Sequence, residues 1–213
     1  MNPVSKIRVV AISSVLCFLL ALYIFGYALD KYKTDPDDFT ISRAVANGNS
    51  ITAAVIVFAV IGAFLLIYLH HLRGLPSRIL LRDIIILTIL ALFISIIFVT
   101  PYQKDGTISD NKTIKDAHIG IAAAAFTLVF VYNLYTYYIF YKNYKTKLPI
   151  ILAAFNILVF IALFIPVIIE EESHKVFTSQ SENNALGITF ATFENVNYLS
   201  LLVVILLLGF YKV

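Results

Sequence analysis

Residues 51–69 read ITAAVIVFAVIGAFLLIYL, nineteen positions without a single charge. Apolar and polar side chains do not alternate along it, as they would in a half-buried strand or a lipid-facing barrel strand. A helix of that length rises ~28 Å, which matches the roughly 30 Å hydrocarbon core of a bilayer. Five more runs of the same character lie at about 9–29, 84–100, 118–140, 148–169 and 186–210. The expected fold class is therefore all-α. The chain reads as a polytopic integral membrane protein, one domain over 1–213, built as a bundle of six transmembrane helices.

The composition points the same way. Of 213 residues, 60% are hydrophobic and 14% charged, and the mean hydropathy is +0.88. A soluble domain is about 45–50% apolar and about 25% charged. The excess excludes a soluble globular enzyme, a disordered chain and a nucleic-acid module. The single cysteine, Cys17, sits inside an apolar run. It can make no intrachain disulfide and belongs to no metal-binding spacing, so it reads as a small buried apolar residue. Lys6 and Arg8 precede the first run as they would in a signal peptide. The run exceeds the about 7–15 apolar residues of a signal core and no A-x-A pattern follows, so it is read as a span.

Charge in the loops sets direction. One face would carry Lys6, Arg8, Arg73, Arg78, Arg82, Lys142, Lys145, Lys147 and Lys212, with Asp83 as its one acid. The other would carry seven basic residues and eleven of the thirteen acids, from Asp30 in the first loop to Glu182 in the last. Cationic loops stay in the cytoplasm, so both termini are expected inside, with three longer acidic loops outside. Tyr132, Tyr135, Tyr137, Tyr138, Tyr141 and Tyr144 crowd the inner end of the fourth run, where tyrosine anchors a helix at the interface.

Helices in lipid pack through small and polar residues. Stripes at helical spacing are Ser14, Cys17 and Ala21 in the first run and Thr88, Ala91 and Ser95 in the third. The fourth has His118, Ala122, Ala125 and Asn133, the fifth Ala153 and Asn156, and the sixth Gly187, Ala191, Glu194 and Asn197. These faces are expected to turn inward.

Glu194 is the thirteenth acid, and it lies within an apolar run, ~12 Å from the outer start of that run. A carboxyl at that depth is costly unless paired, protonated or hydrated, and such residues are functional candidates by default. Asn195 and Asn197 stand beside it, and Asp116 and His118 open the fourth run from the same external side. An imidazolium facing the carboxylate would offset the burial of both. His70 and His71 end the second run at the opposite face, too far from His118 to share a haem. His174 lies in an outer loop near Glu170, Glu171 and Glu172, and no HExxH-like spacing exists, so no metal site and no cofactor is implied. Arg73, Arg78 and Arg82 form a basic collar of the kind that sets topology and attracts anionic lipid.

The stretch Asp116-Ala-His118-Ile-Gly-Ile-Ala-Ala-Ala-Ala-Phe126, running on to Tyr132, resembles the fourth span of the DRAM-type six-span family and its fungal Sfk relatives. It is equally similar to a family of uncharacterised prokaryotic six-span proteins. Glu194 falls where that family carries a glutamate in its sixth span, and Ile41-Ser42 matches an Ile-Ser pair before the second span. Asn195 departs from the aromatic or arginine usual after the glutamate. The resemblance implies a non-enzymatic protein linked to membrane trafficking, autophagy and phospholipid distribution.

The function expected is non-catalytic binding of lipid or a membrane partner, through a polar pocket in the outer half of the bundle made by Glu194, His118, Asp116, Asn195 and Asn197. One alternative is a small proton- or cation-coupled transporter or channel using Glu194. A second is an intramembrane lipid hydrolase using Asp116, His118 and Glu194. The expected partners are membrane lipids, with a homo-oligomer or another membrane protein beside them, and no nucleic acid.

Overall fold

The computed structural model describes residues 2–22, 49–74, 79–99, 111–172 and 184–212. Six helices account for nearly all of them, and no strand occurs among the described residues. They are α1 (Pro3–Leu19), α2 (Asn49–Arg73), α3 (Ile79–Phe98), α4 (Lys112–Tyr144), α5 (Leu148–Glu172) and α6 (Asn184–Phe210). Four stretches are long and apolar enough to cross a membrane: Pro3–Leu22, Thr52–Arg73, Leu81–Phe98 and Lys112–Tyr144. Two shorter apolar stretches, Leu148–Ala162 and Glu194–Phe210, belong to α5 and α6. The acidic loops, with Ile41, Ser42, Arg78 and His174, lie outside the described residues, as do the side chains of Gly187 and Ala191.

Local chemistry sets the helix ends. Asn2 accepts the Val4 amide at 3.0 Å, and Pro3 opens α1, where its missing N–H costs nothing. Asn111 caps α4 by accepting from the Thr113 and Ile114 amides at 3.0 and 3.4 Å. Lys145, left-handed at φ 52°, stops α4 by returning its amide to the Tyr141 carbonyl. Only Lys145, Thr146 and Lys147 then separate α4 from α5, so the two form an antiparallel hairpin.

Five helices form a closed ring in which α1 touches α2, α2 touches α3, α3 touches α4, α4 touches α6, and α6 returns to α1. A contact between α2 and α6 braces the ring, and α5 packs outside it on α4 and α6. The ends of α2, α4 and α6 gather at one pole. There Arg73 donates to the Tyr144 hydroxyl at 2.9 Å and to the Tyr211 carbonyl at 2.7 Å, and lies over the rings of Phe140 and Tyr144. Lys6 over Tyr68 and Arg8 over Phe210 bring the start of α1 to the same basic pole.

In α4 and α6 the chain runs in one direction. Asn133 meets Ser200 at 2.7 Å, the rings of Tyr144 and Tyr211 lie 5.7 Å apart, and Thr146 bonds Tyr211. Residues of α6 are therefore level with residues of α4 numbered 67 lower.

The small-residue stripes sort by face. His118, Ala122, Ala125 and Asn133 are all buried, as are Ser14, Ala21, Asn156, Glu194 and Asn197. Ser14 donates to the Gly62 carbonyl at 2.9 Å, drawing α1 onto α2. The stripe on α3 does not turn inward, since Thr88 and Ala91 are exposed. Thr88 and Ser95 each bond the carbonyl four residues back on their own helix, both at 2.8 Å. A hydroxyl satisfied that way needs no partner helix, and α3 instead buries Ile86, Ile89 and Ile96.

At Gly209 α1 and α6 approach closely, because a β-carbon there would overlap the methyl group of Ala11. Gly209→Ala should therefore cost about 1–3 kcal/mol through forced separation of the helices. Gly120→Ala, where a β-carbon meets nothing within 4 Å, should leave the thermal midpoint in detergent unchanged. Ala11→Gly added to Gly209→Ala should restore it.

Candidate functional site

The residues singled out from the sequence do not assemble into one pocket. His118 is 1% exposed, and its Nδ1 donates to the Val99 carbonyl at 2.9 Å, just past the end of α3. It thus caps the last turn of α3. Asp116, two positions earlier, is exposed, because residues two apart on a helix point ~200° apart. Glu194 is also 1% exposed. By the register of α4 and α6 it is level with Thr127, nine positions along from His118, an axial separation of ~14 Å. Asn197 is buried and Asn195 half-buried. Glu194 and Asn197 therefore share a buried sector of α6, while His118 belongs to the α3–α4 contact and Asp116 to the surface.

What the ring encloses is apolar. Between α1, α2, α3, α4 and α6 lies a cavity of about 40 Å³, counted as space for the centre of a water molecule. Its walls include Phe18, Ala63, Leu66, Ile89, Phe93 and Phe126, with the rings of Tyr132 and Tyr198. Both hydroxyls are spoken for. Tyr198 donates to the Phe18 carbonyl at 2.6 Å, and Tyr132 bonds His70 Nε2 at 2.6 Å. Glu194 lies one turn before Tyr198 on the same side of α6, farther from the basic pole.

The pole-side end of the cavity carries charge that sequence reading missed. On α2, His70 stands one turn below the wall residue Leu66; on α3, Arg82 stands one turn below Ile86. Arg82 is 1% exposed, and its Nε and Nη2 both reach Asp83 Oδ1 at 3.3 Å. The other oxygen of Asp83 meets His71 Nε2 at 3.0 Å, and His71 is half-exposed. A polar line thus runs inward from His71 through Asp83 to Arg82, beside the buried His70–Tyr132 pair. The tyrosine belt splits accordingly: Tyr132 and Tyr137 are core, and only Tyr138 and Tyr141 project outward. The signal was in the spacing, since His70 and Arg82 continue the cavity-lining stripes Ala59–Ala63–Leu66 and Ile86–Ile89–Phe93 at helical intervals.

Among the described residues, no group of three or more His, Cys, Asp or Glu side chains could hold a metal ion.

Fold and site together define a class: an all-helical protein with several membrane-length apolar helices, ringed around an apolar cavity with a charged floor. No protein-family model matches the chain, and neither a curated protein nor a solved structure matches it.

Proposed function

We propose that this chain is a six-span, non-catalytic membrane protein that lodges an apolar chain, such as the acyl tail of a membrane lipid, in the centre of its helix ring. Both termini and the basic pole are on the cytoplasmic side in this reading, consistent with the cations gathered there. α5 and α6 are then the remaining two spans.

The observation that carries the reading is the cavity wall. Apolar side chains and two engaged tyrosines line it, with no charged residue among them. An ion path would need polar groups facing the lumen, whereas an apolar void stays dry and takes apolar guests. Its size exceeds the roughly 10–15 Å³ that a single water needs. Lipid surrounds the ring in this setting, so tails are the guests available at high concentration.

Filling the void tests the reading. Ala63→Phe, or Ala59→Leu one turn away, should reduce the lipid retained by the purified protein, read by native mass spectrometry in mild detergent. The thermal midpoint should hold or rise, because a filled void removes the cavity penalty. Identical lipid retention in wild type and both variants would remove the reading.

A further inference from the structure

The basic pole gathers more positive charge than it neutralises. Lys6, Arg8, Lys145 and Lys212 are exposed there, around the partly buried Arg73. Asp83 is the only acid among the described residues of the pole, and its two oxygens are taken by Arg82 and His71. Among the described residues, no carboxylate pairs with any of those five cations.

What the cations meet instead is aromatic. Lys212 Nζ lies 5.7 Å from the centroid of the Tyr144 ring and 5.9 Å from that of Tyr211. Arg73 Cζ lies 5.9 Å from the same Tyr144 centroid, so two cations share one ring. Arg73 also holds the backbone beneath Lys212, since its Nη2 donates to the Tyr211 carbonyl at 2.7 Å and its Nη1 reaches the Lys212 carbonyl at 3.5 Å. Lys145 follows Tyr144 in the chain and lies 5.4 Å from the Tyr141 centroid. Arg8 lies 5.8 Å from the centroid of Phe210, two residues before Lys212. The start of α1 and the ends of α2, α4 and α6 thus carry one continuous patch of cations set among rings.

We propose that Arg8, Lys145 and Lys212, with Arg73 behind them, form a docking surface for the phosphodiester headgroup of an anionic phospholipid. A ring face attracts a cation but leaves its charge in place, so the patch still lacks an anion. Setting topology requires only that cations be present on one side. It does not require that an arginine share a ring with a lysine and pin that lysine's backbone. The patch ends two membrane-length helices, Thr52–Arg73 and Lys112–Tyr144, and tyrosines at such an end mark the headgroup level. Anionic headgroups are the anions concentrated at that level, and they attract clustered lysine and arginine. The proposal rests on the membrane reading of the helices and not on a guest in the central cavity.

The experiment offers the purified protein an equimolar mixture of phosphatidylglycerol and phosphatidylcholine with identical acyl chains, and reads the ratio bound by native mass spectrometry. Identical tails make the ratio a property of the headgroup alone. Each cation near a membrane surface contributes about fivefold in binding, ~1 kcal/mol, so three should favour phosphatidylglycerol about a hundredfold. Arg8→Gln, Lys145→Gln and Lys212→Gln alter exposed side chains and should fold. Each should lower the preference about fivefold, and the triple variant should bring the ratio near one. Ala63→Phe should keep the preference even where it reduces the total lipid retained, which separates this surface from the cavity. Soluble glycerol 3-phosphate at equal concentration should not displace the lipid; displacement would make a free phosphate ester the ligand and overturn the docking surface. A ratio near one in wild type would leave the patch to an acidic protein or a nucleic acid, and an unchanged ratio in the triple variant would place the preference elsewhere; either overturns the proposal.

Discussion

Arg82→Met should lower the stability of the purified protein by about 3–5 kcal/mol, the range found when one partner of a buried ion pair is removed. Arg82 is 1% exposed and Asp83 18%. The variant leaves a largely enclosed carboxylate whose other oxygen meets the half-exposed His71 ring at 3.0 Å. Removing both charges is a different matter. Arg82→Met combined with Asp83→Leu substitutes an apolar pair for an ionic one, which is commonly neutral or stabilising, so most of the loss should return. Unfolding in detergent, followed by circular dichroism against temperature, distinguishes the two. A harmless single variant would mean that the arginine reaches solvent by snorkelling and that the floor of the cavity is not sealed by charge.

The sequence made the helices legible because bilayer length and hydropathy act on each segment alone. Each of the six runs falls on a helix over its described residues, though α1 spans Pro3–Leu19 and the end of the first run, 23–29, lies outside the described residues, while α4 extends well past its apolar run at both ends, to Lys112 and Tyr144. Which face turns inward is a property of pairs of helices, and there the reading divided. The α4 stripe from His118 to Asn133 lies inside because its alanines allow close approach. The α3 stripe does not, because Thr88 and Ser95 satisfy themselves along their own backbone. His70 reads as an interfacial residue beside His71, yet the one-residue step between them is a turn of ~100°, enough to bury one and leave the other half-exposed. Glu194 and His118 both read as buried polar residues and both are. Their separation along the bundle depends on the register of α4 against α6, fixed by Asn133–Ser200 and by the aromatic cluster at the pole. No single-segment pattern contains that offset.

The second large effect concerns the pair that closes the cavity. His70 Nε2 and the Tyr132 hydroxyl lie 2.6 Å apart, both side chains are buried, and their rings cross edge to face with centroids 5.9 Å apart. Tyr132→Phe keeps the ring against the cavity and removes only the oxygen, leaving His70 without that partner. An unsatisfied buried group of this kind costs about 1–3 kcal/mol. His70→Leu strands the tyrosine hydroxyl and should cost a similar amount. The double variant removes both polar groups, so its loss should fall well short of the sum, with a coupling of about 1–2 kcal/mol in a double-mutant cycle. Simple additivity would show that the bond contributes nothing to the fold. Lipid retention gives an independent reading of the same variants. Tyr132→Phe leaves the cavity wall apolar and filled to the same depth, so the proposed tail should remain bound while stability drops. If retention vanishes with the hydroxyl alone, the guest is held by a polar head at the His70–Tyr132 end, and the cavity recognises more than a hydrocarbon chain.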